Sequence, residues 1–68
     1  MPSSVIRSFD YDAVRNELSI TFVSGKIYVY QLVPRHVFEA FRAAPSKGAF
    51  FNQHIRERYP FREIIRSS

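Results

Sequence analysis

Arginine and tyrosine are the residue types in this sequence whose chemistry could support a function. Eight of the ten cationic residues are arginine, a side chain suited to bidentate contact with phosphate. Residues 1–33 carry no net charge, whereas residues 34–68 contain seven cationic and three acidic side chains and hold the whole excess of +4. Such a distribution is typical of a phosphate-binding surface and also of an ordinary solvated basic surface.

The cations that we predict to contact phosphate are Lys47, Arg56 and Arg58, with Arg42 on a neighbouring helix. Lys47 follows Ser46 at the start of a predicted helix, where free N–H groups and the helix dipole attract anions. The turn Ser46-Lys47-Gly48 lacks the longer glycine loop of a nucleotide-binding site, so an ordinary helix capped by Ser46 is the simpler interpretation.

Two tyrosines, Tyr28 and Tyr30, alternate on a predicted strand. Exposed aromatic rings on a sheet can stack on nucleic-acid bases, each stack contributing about 1–3 kcal/mol. Alternatively, the rings pack beneath helices and leave their hydroxyls at the edge of the core. A three-residue hairpin loop at 23–25, with Gly25 at positive φ, would place both tyrosines on the face of Leu18 and Ile20, which favours packing.

Other chemistries find no support in the sequence. There is no cysteine, and His36 and His54 lack the spacing of a metal site. The sequence contains no recognisable pair of a nucleophile and a general base, no pair of catalytic carboxylates and no cofactor-binding motif. We therefore expect no enzyme activity, no metal and no cofactor. Neither a signal peptide nor an apolar run of about 20 residues is present, so we expect a cytoplasmic protein without a membrane partner.

The elements that must position these residues form one α+β domain over 1–68, with residues 1–4 and 67–68 as disordered tails. Strands are predicted at 5–11, 17–23 and 26–33, and helices at 34–44 and 46–59. The predicted fold is a three-stranded antiparallel β-meander followed by two α-helices packed on one face of the sheet. Phe61, Ile64 and Ile65 are predicted to form a short apolar turn over the core.

Three strands would leave one sheet face uncovered. In the predicted register that face carries Ser19, Thr21, Ile27 and Val29, of which the last two form an apolar pair. We therefore predict a homodimer or a partner protein, docked through this face or through the open edge of the third strand.

The chain resembles the KTSC domain, a module found alone in bacterial proteins and at the C-terminus of some lysyl-tRNA synthetases. The likeness covers residues 4–60 and is carried by many spaced positions. These are Leu18-Ser-Ile-Thr-Phe22, Gly25, Tyr28-Val-Tyr30, Val33-Pro34, Ser46-Lys-Gly48, Phe51-Asn52, Ile55-Arg56 and Tyr59. The resemblance implies no catalytic residues, and the attachment to a synthetase suggests RNA binding by association only.

These observations predict a small non-catalytic module that binds RNA, including tRNA, or single-stranded nucleic acid through its basic helical half. The alternative is a protein-interaction or homodimerisation module with no nucleic-acid role.

Overall fold

A computed structural model describes residues 5–65 of the chain; the tails predicted at 1–4 and 67–68 lie outside the described residues. The strands are β1 (Ile6–Asp12), β2 (Glu17–Phe22), β3 (Ile27–Tyr30) and β4 (Phe61–Ile64). Between β3 and β4 lie the helices α1 (Arg35–Ala43) and α2 (Lys47–Phe50), and α2 continues into a π-helical segment, Phe51–Ile55. The predicted α+β class is confirmed.

The hairpin between β2 and β3 has the predicted register. Ile20 lies opposite Tyr28, and Leu18 lies opposite Tyr30. The Phe22 amide donates to the Lys26 carbonyl over 2.8 Å, and the Gly25 amide donates to the Phe22 carbonyl over 2.8 Å. Gly25 has a φ of 95°, a conformation that glycine adopts without the steric cost of a Cβ atom. Both tyrosines therefore point to the face of Leu18 and Ile20.

The prediction of three strands is wrong, because the chain after Pro60 returns to the sheet as β4. The four strands are antiparallel in the order β1-β2-β3-β4, and Phe61 lies opposite Tyr30. The apolar positions 61, 64 and 65 fit a helical turn as well as a short strand, and periodicity does not separate the two for so short a run. The third strand consequently has no open edge; β1 and β4 form the edges.

β1 contains a bulge between Ile6 and Ser8. Strict alternation would place these two residues on one face. The bulge inserts Arg7 as an extra residue, so Ile6 pairs with Phe22 and packs against the core together with Phe9 and Tyr11. A bulge on an edge strand also disturbs the row of free backbone groups that would pair with another chain.

The first helix follows the predicted pattern. Val37 and Phe38 pack against the core, Phe41 is fully buried, and Glu39 forms ion pairs with Arg35 and Arg42 on the other side. The second helix begins as predicted, since the Ser46 hydroxyl accepts a hydrogen bond from the Ala49 amide over 3.2 Å.

The second helix does not run to Tyr59 as predicted. It widens into the π-helical segment, where the Arg56 amide donates to the Phe51 carbonyl over 2.9 Å. π-Helical turns are rare and occur frequently at functional sites.

The helices and the sheet enclose one core. Its buried members are Leu18, Ile20, Tyr30, Val33, Phe41, Phe51 and Ile55. The Tyr11 hydroxyl donates to the Val33 carbonyl over 2.7 Å, which ties β1 to the start of α1.

The outer sheet face is less open than predicted. Val29 is only 3% exposed. Arg62 of β4 lies opposite Val29, and its Nη2 atom is 3.8 Å from Oε1 of Glu17 on β2. Because β3 separates these two strands, the Arg62 side chain must cross β3, and its aliphatic part can cover apolar surface. The expectation of an exposed apolar pair is therefore wrong for Val29.

Candidate functional site

A groove of about 710 Å³ opens between the β2–β3 hairpin, β4 and the π-helical segment. We call it the aromatic groove, because five aromatic residues contribute to its wall: Phe22, Tyr28, Tyr30, Phe51 and Phe61. Its polar lining consists of Ser24, Lys26, Asn52, Arg56 and Glu57. The volume lies within the range of about 300–1,000 Å³ that ligand sites occupy.

A pair of stacked rings, Tyr28 and Phe61, contributes accessible aromatic surface to the wall. Tyr28 and Phe61 have ring centroids 5.2 Å apart and an interplanar angle of 26°. Phe22 meets Tyr28 edge-on at 5.5 Å. Phe61 is 52% exposed, and Tyr28 is half-buried. Exposed aromatic surface of this kind can stack on a planar ligand.

Tyr30 has a different position from Tyr28. It is 1% exposed and meets Phe51 edge-on at 5.5 Å. Burial, with a smaller contribution from the nearby Tyr28, raises the pKa of Tyr30 to about 12 against the opposing effect of Arg56. Tyr30 thus supports the groove as a neutral ring of the core, and the structure divides the predicted tyrosine pair into a buried member and a half-buried one.

Two cations of the described residues, Lys26 and Arg56, line the aromatic groove. Nη1 of Arg56 donates to Oδ1 of Asn52 over 3.4 Å, which restrains the guanidinium beside the groove. Lys26 lies at the hairpin end of the same lining, and Glu57 is its acidic member. The lining is therefore aromatic with a small excess of positive charge.

The other predicted phosphate contacts lie elsewhere. The Arg42 guanidinium donates a hydrogen bond to the Glu39 carboxylate, and Nζ of Lys47 donates to the Ala44 carbonyl over 2.9 Å. Arg58 lines a second groove. Of the six predicted site residues, the aromatic groove brings together Arg56, Tyr28 and Tyr30; phosphate contact by any predicted cation stays a prediction.

Sequence reasoning missed Lys26, Phe22 and Phe61 as site residues. The predicted three-residue loop at 23–25 places Lys26 opposite Phe22, which locates both residues at the hairpin end of the sheet. Phe61 would have been found only by treating residues 61–64 as a strand, since its position depends on pairing with Tyr30.

The second groove, of about 390 Å³, lies between α1 and the chain around the π-helical segment. We call it the histidine groove, because His36 and His54 both line it, together with Val37, Ala40, Phe50, Arg58 and Tyr59. The His54 ring lies 4.6 Å from the Phe50 ring. Across residues 5–65, no group of three or more histidine, cysteine or acidic side chains is placed to hold a metal ion.

None of the helices within residues 5–65 has the length and apolar character needed to cross a membrane.

Comparison with known proteins gives relatives of two kinds. The chain is 41% identical over 61 residues to a lysine–tRNA ligase of Nostoc punctiforme; the match covers 90% of this chain but spans only 11% of the length of that ligase. It is 37% identical over 59 residues to an uncharacterised protein of Stutzerimonas stutzeri, covering 87% of this chain and 83% of that protein.

A solved structure and a family model agree with these relatives. The crystal structure of a KTSC domain protein from Yersinia pestis matches with a TM-score of 0.88 and 36% identity, covering 94% of this chain and 90% of the other. The family model of the KTSC domain matches residues 2–59. The chain therefore belongs to the KTSC domain family.

Proposed function

We propose that this domain binds single-stranded RNA in the aromatic groove, without catalysis and without a cofactor. One observation carries the proposal: Phe61, half exposed, stacks on Tyr28 in an open groove that Arg56 and Lys26 also line. Bases stack on the exposed faces of these rings, and the two cations contact the adjoining phosphates.

The physical basis is the combination of stacking and charge. Stacking of a base on an aromatic side chain contributes about 1–3 kcal/mol and is tolerant of sequence, because every base has a π-face. Arg56 and Lys26 add phosphate contacts that depend on salt. The rest of the basic half, including Arg58, would steer the strand toward the groove over longer distances.

The ligase relatives support RNA as the ligand class. Their name states that tRNA is a substrate of those enzymes, and the segment that matches this chain is part of them. For this chain, tRNA or another RNA with an accessible single-stranded region is accordingly the proposed partner.

The test is a titration with a labelled single-stranded RNA of about ten nucleotides, at low and at moderate salt. We expect Phe61→Ala to weaken binding by about 5- to 150-fold, which corresponds to the loss of one stack. Arg56→Gln should reduce the slope of log affinity against log salt by about 0.7, the value for one phosphate of a single strand.

Arg15→Gln provides the matched control. It removes the same charge from an exposed arginine in the β1–β2 turn, where Arg15 lies 3.9 Å from Asp12, at the end of β2 remote from the hairpin that lines the groove. Its salt slope should stay close to that of the wild-type chain. Equal slopes for the two arginine variants, or RNA binding that is undetectable at high micromolar protein, would refute the proposal.

The second candidate function is contact with a partner protein. It is favoured by β4, an exposed edge strand that carries Phe61 and Ile64 on its accessible surface, since edge strands can pair with a further strand. Homodimerisation through β4 or through the outer sheet face would appear as concentration-dependent sedimentation of the isolated domain. Monomer at all concentrations would count against self-association.

A further inference from the structure

The histidine groove is independent of the aromatic groove and contains a different chemistry. His36 from α1, His54 from the π-helical segment, and Arg58 and Tyr59 from the following turn all line it. The sequence places the two histidines far apart, and only the packing of α1 against the second helix brings them to one site.

Among residues 5–65, the charged and titratable side chains that line this groove are His36, His54, Arg58 and Tyr59, and no carboxylate lines it. Glu39, the acidic residue of α1, forms ion pairs with Arg35 and Arg42, and Glu57 lines the aromatic groove instead. An anion in the histidine groove would therefore meet donors without a facing negative charge.

We propose that the histidine groove binds a phosphate group. The Arg58 guanidinium offers a fork of N–H donors suited to a tetrahedral oxyanion. His36 and His54 offer ring N–H donors, and the Tyr59 hydroxyl is a further donor. The Phe50 ring lies beside the His54 ring, with ring centroids 4.6 Å apart, and forms part of the apolar wall of the groove.

The assignment does not depend on RNA binding in the aromatic groove. The phosphate group is either a free anion or the terminal phosphate of a nucleic acid, and both present the same oxygens to Arg58 and the histidines.

The first experiment is a sulfate titration at constant pH and ionic strength, followed by NMR of the histidine ring protons. Sulfate is the probe because it presents the same tetrahedral set of oxygens as phosphate. We expect saturable shifts of the ring protons of both histidines. Arg58→Gln and His54→Gln should each weaken binding by at least about tenfold.

Arg15→Gln again serves as the control with the same loss of charge, and should leave sulfate binding unchanged. Histidine shifts that match those produced by chloride at equal ionic strength would overturn the proposal. So would equal weakening by the Arg58 and Arg15 variants, because that result indicates a general charge effect.

The second experiment separates the two sources of phosphate. RNA with a 5′-phosphate is compared with the same RNA carrying a 5′-hydroxyl, each against the wild-type chain and Arg58→Gln. Preference for the phosphorylated strand that disappears in Arg58→Gln assigns the site to a terminal phosphate. Sulfate binding with no such preference assigns it to a free anion. Sulfate binding without any RNA binding would refute the proposed function and leave the phosphate site intact.

Discussion

Tyr30 connects the core to the aromatic groove, and its ionisation gives a sharp test of the packing. Burial raises the pKa of Tyr30 from 10.0 to about 12. A hydroxyl whose pKa is higher in the folded than in the unfolded state stabilises the fold while both states are protonated, below about pH 10. That contribution is lost as the pH rises from about 10 to about 12.

The magnitude follows from the size of the shift. One pKa unit corresponds to about 1.4 kcal/mol, so the contribution is about 2.7 kcal/mol at most, and about 1.4 kcal/mol of it should be lost by about pH 11. Tyr30→Phe keeps the ring in the core and removes the ionisation. Between about pH 9 and pH 11, the wild-type free energy of unfolding should therefore fall by about 1.4 kcal/mol more than that of Tyr30→Phe.

The assay is urea unfolding of both proteins at the two pH values, with the tyrosinate absorbance recorded in parallel. All other side chains are the same in the two proteins, so the difference in pH dependence between them is assigned to the Tyr30 hydroxyl. Equal pH dependence of the two proteins would refute the account of Tyr30 as a buried, neutral ring.

Three further stability predictions concern single positions, each measured by urea unfolding. Leu32 has a φ of 62° and is 70% exposed. Leu32→Gly should be about 1–2 kcal/mol more stable than Leu32→Val, because only glycine avoids the Cβ clash at this φ. Equal free energies of unfolding for the two variants would contradict this prediction. Ser46→Ala removes the cap of α2 and should cost about 1 kcal/mol, whereas Ser24→Ala, in the hairpin loop, should cost little. Arg62→Ala should lower the free energy of unfolding by about 1 kcal/mol, because it exposes Val29. Arg15→Ala also removes an exposed ion pair but should leave the free energy of unfolding nearly unchanged.

The hairpin is the part of the fold that sequence reasoning predicted best. A three-residue loop is favoured because Gly25 accepts positive φ whereas Ser24 resists it, and the loop in turn determines the register of Tyr28 and Tyr30. Local backbone chemistry was sufficient here because the two strands are joined directly.

The fourth strand could not be predicted in this way. Residues 61–64 pair with β3 across the whole helical region, and a contact so distant in the sequence leaves no local signal beyond a short apolar run. The bulge at Arg7 and the π-helical segment are similar cases, since both depend on how neighbouring elements pack. Because Phe61 belongs to β4, a sequence analysis that does not predict β4 cannot place Phe61 in the aromatic groove.

The most direct test of RNA binding in the aromatic groove is an NMR map of amide shifts on adding single-stranded RNA to the isotope-labelled domain. The largest shifts should lie along the aromatic groove, at Lys26, Tyr28, Arg56 and Phe61, and the amides of Ser19 and Thr21 on the outer sheet face should stay unchanged. Shifts confined to the outer face, or no shifts at high micromolar RNA, would contradict this prediction.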